Sequence, residues 1–302
     1  MKKMLVIMNP FAGTRQANKY LAGIIDIFCK AGYEVRVAMT QKSGDGIELA
    51  AEHARDNDIL VAIGGDGTFN EVVEGVLDSG ADMPIGYIPA GTTNDFASSV
   101  GLNTSTLEAA QSIVSGRKQR FDVGDFNGRY FSYVASFGAF TSAAYNVPQD
   151  LKNAIGHAAY VLSGITDVVN IKPFHLKVDS GELVYEDDYI FGAICNSTSM
   201  GGIINLKSAD VDMNDGLFEV MLIKAPKDII DLQSIIFALS TQSYNECDQI
   251  SFFSSPKVDI TAQADMPWTL DGEYQEPCEK ITISNVYNAI QLMLPAGGEK
   301  NA

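Results

Sequence analysis

The six residues Asp58-Ile59-Leu60-Val61-Ala62-Ile63 run directly into Gly64-Gly65-Asp66-Gly67-Thr68. A short apolar run bounded by a turn reads as a strand buried on both faces, as in a parallel sheet. Thr68 to Leu77 reads as a helix, with Thr68 or a neighbour as N-cap. The same grammar recurs on both sides. Lys3 to Met8 is a second apolar run, closed by the loop Asn9-Pro10-Phe11-Ala12-Gly13. Leu21, Ile24, Ile25 and Phe28 then recur at helical spacing up to the stop at Gly32. Tyr33 to Met39 reads as a strand, Gly46 to Arg55 as a helix, Pro84 to Ile88 as a strand and Leu107 to Ser115 as a helix. Strands alternating with helices of about ten or more residues make βαβ units and a parallel sheet.

After Arg120 the texture changes. Phe121 to Phe137 reads as two strands around Asn127-Gly128, a strong hairpin dipeptide. Val147 to Val169 reads as a helix broken by Gly156 and Gly164. Short strands dominate from Pro173 onward: His175–Val178, Asp188–Cys195, Leu217–Ile223, Lys257–Thr261 and Lys280–Ile283, with one helix near Lys227 to Ser240. The expected fold is an α/β N-terminal domain with a parallel sheet, residues 1–122, and a mostly antiparallel β C-terminal domain, residues 123–285. The apolar tail Tyr287 to Leu294 lies in a segment, 286–302, that is expected to return to the first domain.

Charge narrows the partners. Lys and Arg number 21 against 38 Asp and Glu, a net charge of −17, so no basic nucleic-acid footprint is expected. An anionic ligand must be held by local donors or a metal. The four cysteines are scattered without a C-x-x-C pair and read as reduced thiols, and the three histidines are isolated. The N-terminal apolar run is too short for a signal peptide, and no stretch of 18 apolar residues occurs. The chain reads as cytosolic.

The glycine turn carries the chemistry. Residues without Cβ let the backbone approach a ligand, and the helix that follows offers unpaired N–H groups and its positive dipole end. These are donors for phosphate. The Walker pattern is absent, and the dinucleotide fingerprint fails because Asn70 stands where its third glycine would be. A tight βα turn with a capping Asp is the plain alternative. Asp66 would repel phosphate unless it holds Mg²⁺ or orients water around it. Two more segments, Asn9 to Gly13 and Pro89-Ala90-Gly91-Thr92-Thr93-Asn94-Asp95-Phe96-Ala97, also close strands, so all three can line one crevice at the carboxyl ends of an open sheet.

In this order and spacing the three segments resemble the catalytic domain of diacylglycerol kinases, nearest to the bacterial soluble lipid kinases and related to sphingosine and ceramide kinases. NAD kinases and phosphofructokinases belong to the wider superfamily. The resemblance extends over nearly the whole chain through Asp122, Phe137-Gly138, Gly201-Gly202, Asp215-Gly216-Leu217-Phe218 and Asp271-Gly272-Glu273. It implies ATP and Mg²⁺ as cofactors. It places the nucleotide against Asn9, Gly65, Gly67, Thr68, Gly91, Thr92, Thr93, Asn94 and Asp95. It implies an acidic network of Asp66, Asp122 and Asp215, and a Mg²⁺ held by Asp215 with backbone oxygens of Asp212 and Leu217. A β-turn at Asn214-Asp215-Gly216 is the plain alternative there. Asp271 is implied as the general base, with Glu273 sharing or orienting it. Without the resemblance, Asp-Gly-Glu reads as a hairpin turn.

Two positions depart from the family's habit. Thr14 follows Gly13 where many relatives carry lysine, which leaves Arg15 or Lys19 to meet the phosphates. Lys207 stands where proline is frequent and affects loop shape. The implied reaction is transfer of the γ-phosphoryl group of ATP to a lipid hydroxyl, with diacylglycerol to phosphatidic acid as the default. A sphingoid base, another lipid or NAD are alternative acceptors, and a non-catalytic nucleotide- or lipid-binding regulator is the alternative from another class. The lipid would be met peripherally at a membrane surface, with Val147 to Val169 as a candidate acyl cleft or membrane contact and Lys2, Lys3, Lys224 and Lys227 as candidate cations. A homodimer stays open.

Overall fold

The computed structural model describes residues 1–13, 16–92, 94–102, 105–138, 173–200, 204–206 and 211–296. The chain forms two compact units, Met1–Val123 with Tyr287–Ala302, and Gly124–Val286.

In the first unit the order is β1 (Lys2–Met8), α1 (Gln16–Lys30), β2 (Tyr33–Met39), α2 (Asp45–His53), β3 (Ile59–Gly64), α3 (Asp66–Ser79), β4 (Pro84–Pro89), α4 (Asp95–Ser99), α5 (Thr106–Ser115) and the start of β5 (Arg117–Phe126). The strands pair in parallel in the order β2-β1-β3-β4. The C-terminal strand Lys280–Leu294 adds itself in parallel, with Gln291 and Leu292 opposite Pro84 and Ile85. Every residue of β3, and β1 from Met4 to Met8, is buried, which is why both read as unbroken apolar runs. Ala17, Ile24 and Phe28 of α1 pack with Met4, Val6 and Val61 in one core. Chain order reverses between β1 and β3, so their carboxyl ends open a crevice at the switch point.

The second unit holds the rest of β5, β6 (Arg129–Phe131), β7 (Val134–Gly138), β8 (Phe174–Asp179), β9 (Val184–Cys195), β10 (Ser199–Met200), β11 (Ile204–Asn205), β12 (Phe218–Lys224), α6 (Ile229–Thr241), β13 (Ile250–Ser255), β14 (Lys257–Thr261), β15 (Trp268–Leu270), β16 (Glu273–Gln275) and the start of β17 (Lys280–Leu294). Its pairings are antiparallel. Trp268 is fully buried at its centre, with ring centroids 5.3 Å from Phe126 and 4.9 Å from Phe137. Asn127 and Gly128 take φ of 51° and 91° and join β5 to β6, the mirror-image turn that an Asn-Gly hairpin needs.

Several boundaries differ from the sequence reading. Helix α3 starts at Asp66 rather than near Thr68, because Gly65 is extended (φ −84°, ψ −174°) and serves as its N-cap. Helix α4 follows directly on the expected loop Pro89 to Asn94 and was not among the expected elements. Lys280–Ile283 and the tail from Tyr287 are one strand, which passes through Ser284 and Asn285 and has a positive φ of 55° at Asn288. Val147 to Val169, Gly201-Gly202 and Lys207 lie outside the described residues.

Candidate active site

Three loops at the carboxyl ends of β1, β3 and β4 interlock backbone to backbone. Asn9 donates its N–H to Ile63 O at 2.9 Å, and Ala90 donates to Gly64 O at 2.7 Å. A Cβ on Gly13, which has φ +50°, would overlap the Ala90 carbonyl oxygen. A Cβ on Gly91 would lie 2.6 Å from Gly65 Cα and 2.8 Å from Asn94 Oδ1. Glycine is therefore required at these positions by close approach, and the approach creates a cradle of main chain around the α3 N-terminus. The first-turn N–H groups of α3 have no acceptor within the helix, so Gly67 and Thr68 sit where an anion would be bound.

Side chains tie the cradle together. Asn9 Oδ1 accepts the Phe11 N–H at 2.9 Å, and its Nδ2 reaches Thr68 Oγ1 at 3.4 Å. Asn94, left-handed at φ 53°, accepts from Gly91 N at 2.9 Å and donates to Gly91 O at 3.1 Å. Asp66 lies at the centre and is buried. Its Oδ2 accepts the Asp95 N–H at 3.0 Å and its Oδ1 the Phe96 N–H at 3.4 Å, so it closes the first turn of α4. Tyr87 Oη stands 3.4 Å from Asp66 Oδ1 and 3.5 Å from Asn94 Oδ1 and shares its proton between them.

Burial pushes the Asp66 carboxyl up from 3.8 to about 6, and the Asp95 charge adds to the rise, against the opposing pull of the two α4 N–H groups and Tyr87. The Tyr87 hydroxyl is also raised, by burial first and by the Asp66 charge second. Tyr87 was not among the expected site residues. Its signal was present: a tyrosine in a strand buried almost throughout must find a partner for its hydroxyl. Thr92 is exposed. Thr93 and Arg15 lie outside the described residues, and Lys19 is exposed on α1. Asp122 is buried on β5, where its Oδ1 accepts the Asn288 N–H at 2.7 Å.

The remaining expected residues belong to the second unit. Asp271 and Gly272, at φ 51° and 82°, are the central residues of the β15–β16 hairpin. The Asp271 carboxylate is buried and accepts three consecutive main-chain N–H groups: Ser132 at 2.6 Å, Tyr133 at 3.0 Å and Val134 at 3.0 Å. The Asp271 N–H returns a bond to Val134 O at 2.8 Å. Glu273 pairs with Arg129 at 3.0 Å and is partly exposed.

Asp212 and Asp215 are exposed. Asp212 Oδ1 accepts the Asn214 N–H at 3.1 Å, Asp215 Oδ1 accepts the Leu217 N–H at 2.9 Å, and Leu217 O accepts from Asn285 Nδ2 at 3.1 Å. The buried Asn214 Oδ1 and Asn285 Oδ1 find no donor. An oxygen-only set, the Asp215 carboxylate with main-chain oxygens of Asp212 and Leu217, fits Mg²⁺, which takes few protein ligands and keeps water. Among the described residues no three Asp, Glu, His or Cys side chains converge as a metal cage.

Known proteins similar to this chain cover nearly its whole length. Residues 3–126 match the diacylglycerol kinase catalytic domain, and residues 134–293 match the YegS C-terminal NAD kinase beta sandwich-like domain. A diacylglycerol kinase of Bacillus subtilis (strain 168) is 32% identical over 299 residues, covering 98% of this chain and 97% of its own. One from Staphylococcus saprophyticus is 29% identical, covering 90% and 89%. The crystal structure of a diacylglycerol kinase from Bacillus anthracis str. Sterne has the same fold, with a TM-score of 0.75 at 21% identity and 97% of each chain covered.

Proposed function

The chain belongs to the diacylglycerol kinase family, and from that premise we propose that it transfers the γ-phosphoryl group of ATP to the free hydroxyl of diacylglycerol. The observation that carries this reading is the interlocked glycine cradle at the α3 N-terminus. It supplies main-chain donors for phosphate to a chain whose net charge of −17 would otherwise repel it.

In this reading the N–H groups around Gly65, Gly67 and Thr68 bind the phosphates. Asn9, Gly91, Thr92, Thr93, Asn94 and Asp95 shape the nucleotide site, and Arg15 or Lys19 adds the cation. Asp215, with oxygens of Asp212 and Leu217, would hold a structural Mg²⁺, and Asp66 and Asp122 would order the water around a nucleotide-bound ion. A bound Mg²⁺ neutralises charge on the transferred group. The acceptor hydroxyl oxygen bonds to the γ-phosphorus as the bond to the β,γ-bridging oxygen breaks. ADP leaves, and the hydroxyl proton passes to the Asp271 carboxylate. The three N–H bonds orient that carboxylate, and the Arg129 pair holds Glu273 beside it. The enzyme meets its lipid peripherally, from the cytoplasmic side.

A lipid-panel assay with Mg-ATP in mixed micelles tests the reading. Phosphatidic acid should form from diacylglycerol. Turnover on sphingosine or NAD with none on diacylglycerol would replace the acceptor. No turnover on any alcohol would replace catalysis by a binding role.

A further inference from the structure

Helix α6 turns to the surface an uncharged face that carries three large apolar side chains. Ile229, Ile230 and Phe237 are 64%, 66% and 65% exposed. Gln233, Ser234, Ser240 and Thr241 complete that face, and Leu232, Ile235 and Ala238 are buried behind it. The two acidic residues at this end of the chain segment are committed elsewhere. Asp228 caps the helix by accepting from Ile230 N and Asp231 N, and Asp231 accepts from Lys227 N and Gln249 Nε2. An open groove of about 310 Å³ runs beside the face, lined by Ile230, Phe237, Ala238 and Cys247, with Glu246 among its polar lining. In a chain with 20% charged residues and a net charge of −17, seven outward positions without a charge form a distinct patch.

Large apolar side chains clustered on one exposed helix face expect cover there. The footprint decides what kind. Thirteen residues give a face about 20 Å long and 10 Å wide, on the order of 200 Å². A stable protein partner needs roughly 800 Å² on each side. A bilayer has no such minimum, since each inserted side chain gains independently at the headgroup–acyl boundary. Charge points the same way, because a strongly acidic chain gains little from anionic headgroups and must dock by apolar insertion.

We propose that the outward face of α6 is the membrane-docking surface, with Ile229, Ile230 and Phe237 entering the bilayer and Lys227 at the headgroups. This rests on the lipid-kinase reading for its purpose, though not for its test. Full-length protein is mixed with phosphatidylcholine vesicles containing diacylglycerol, and bound protein is measured by flotation. The wild type should float with the vesicles. The double variant Ile230→Glu, Phe237→Glu should bind at least about a hundredfold less, consistent with the loss of two inserted apolar side chains. Circular dichroism should show it folded, and its turnover on monomeric short-chain diacylglycerol should match the wild type while turnover on vesicle-borne diacylglycerol falls. Equal flotation of variant and wild type overturns the proposal. So does a wild-type dimer, seen by sedimentation, that the variant converts to monomer without loss of vesicle binding. Inactivity of the wild type on soluble diacylglycerol would count against the kinase reading alone, because flotation needs no turnover.

Discussion

The Asp66 carboxylate accepts the Asp95 N–H at 3.0 Å, so one acid closes the helical turn that another begins. This joins the β3–α3 turn to the β4–α4 turn through a buried charge. Such a charge is costly unless it is compensated, and the hydrogen bonds here only partly offset its burial. The strain is placed where the proposed function needs an anion.

Asp66 should therefore oppose stability at neutral pH. Its folded value, about 6, lies above the ordinary 3.8, so the folded state holds the proton more tightly. The contribution is fully present below 3.8 and is lost as pH rises through 6. The span corresponds to on the order of 3 kcal/mol. Urea unfolding of wild type and Asp66→Asn, in EDTA, should show the difference moving in the variant's favour by about that amount from pH 4 to 7.5. A pH-independent difference would refute the shift. Kinase turnover should be abolished in the folded variant.

Much of this was legible in the residues. The apolar runs at β1 and β3 and the helical spacing of α1 announced the parallel sheet, and the three loops announced the crevice. The purpose of the individual glycines was not legible, because Gly65 and Gly91 explain each other only in space. Helix α4 was hidden because it has five residues and follows a left-handed Asn94. Strands β15 and β16 have three residues each, too few for a period to show. The N–H partners of Asp271 lie more than 130 residues upstream, so Asp-Gly-Glu alone spoke only of a turn.

Gly91→Ala should damage binding more than folding. The added methyl would meet Gly65 Cα at 2.6 Å and force the two loops apart, a change of the kind that costs about 1–3 kcal/mol. Nucleotide affinity, read with a fluorescent ATP analogue, should fall at least about tenfold, since that backbone approach shapes the phosphate cradle. An unchanged Kd would remove the cradle from the nucleotide site.

Metal binding at the Asp215 turn can be read without activity. Added Mg²⁺ should raise the melting temperature of the wild type, because a ligand of the folded state stabilises it by mass action. Asp215→Ala should abolish most of that rise. The same rise in both proteins would place the ion elsewhere.

Glu273→Gln separates support from chemistry. The Arg129 pair is partly exposed on both sides, so its loss should change stability by less than about 1 kcal/mol. A kcat reduced by at least about tenfold in a protein of unchanged melting temperature would show that Glu273 assists proton transfer. Unchanged kcat would restrict it to the hairpin surface.

Asp271→Asn is the sharpest test of the proposed base. Asparagine keeps one acceptor oxygen but turns an NH₂ toward main-chain donors at Ser132, Tyr133 and Val134. Hydrogen bonds to a charged acceptor are worth about 1.5–3 kcal/mol each, so some stability must be lost. Kinetics are therefore measured at a temperature where near-UV circular dichroism shows the variant folded. Loss of a general base should lower kcat by about 100-fold or more and leave KM for ATP nearly unchanged. If Asp271 only anchors the hairpin, activity should instead fall in proportion to the unfolded fraction and recover on cooling. That recovery would transfer the base to another residue.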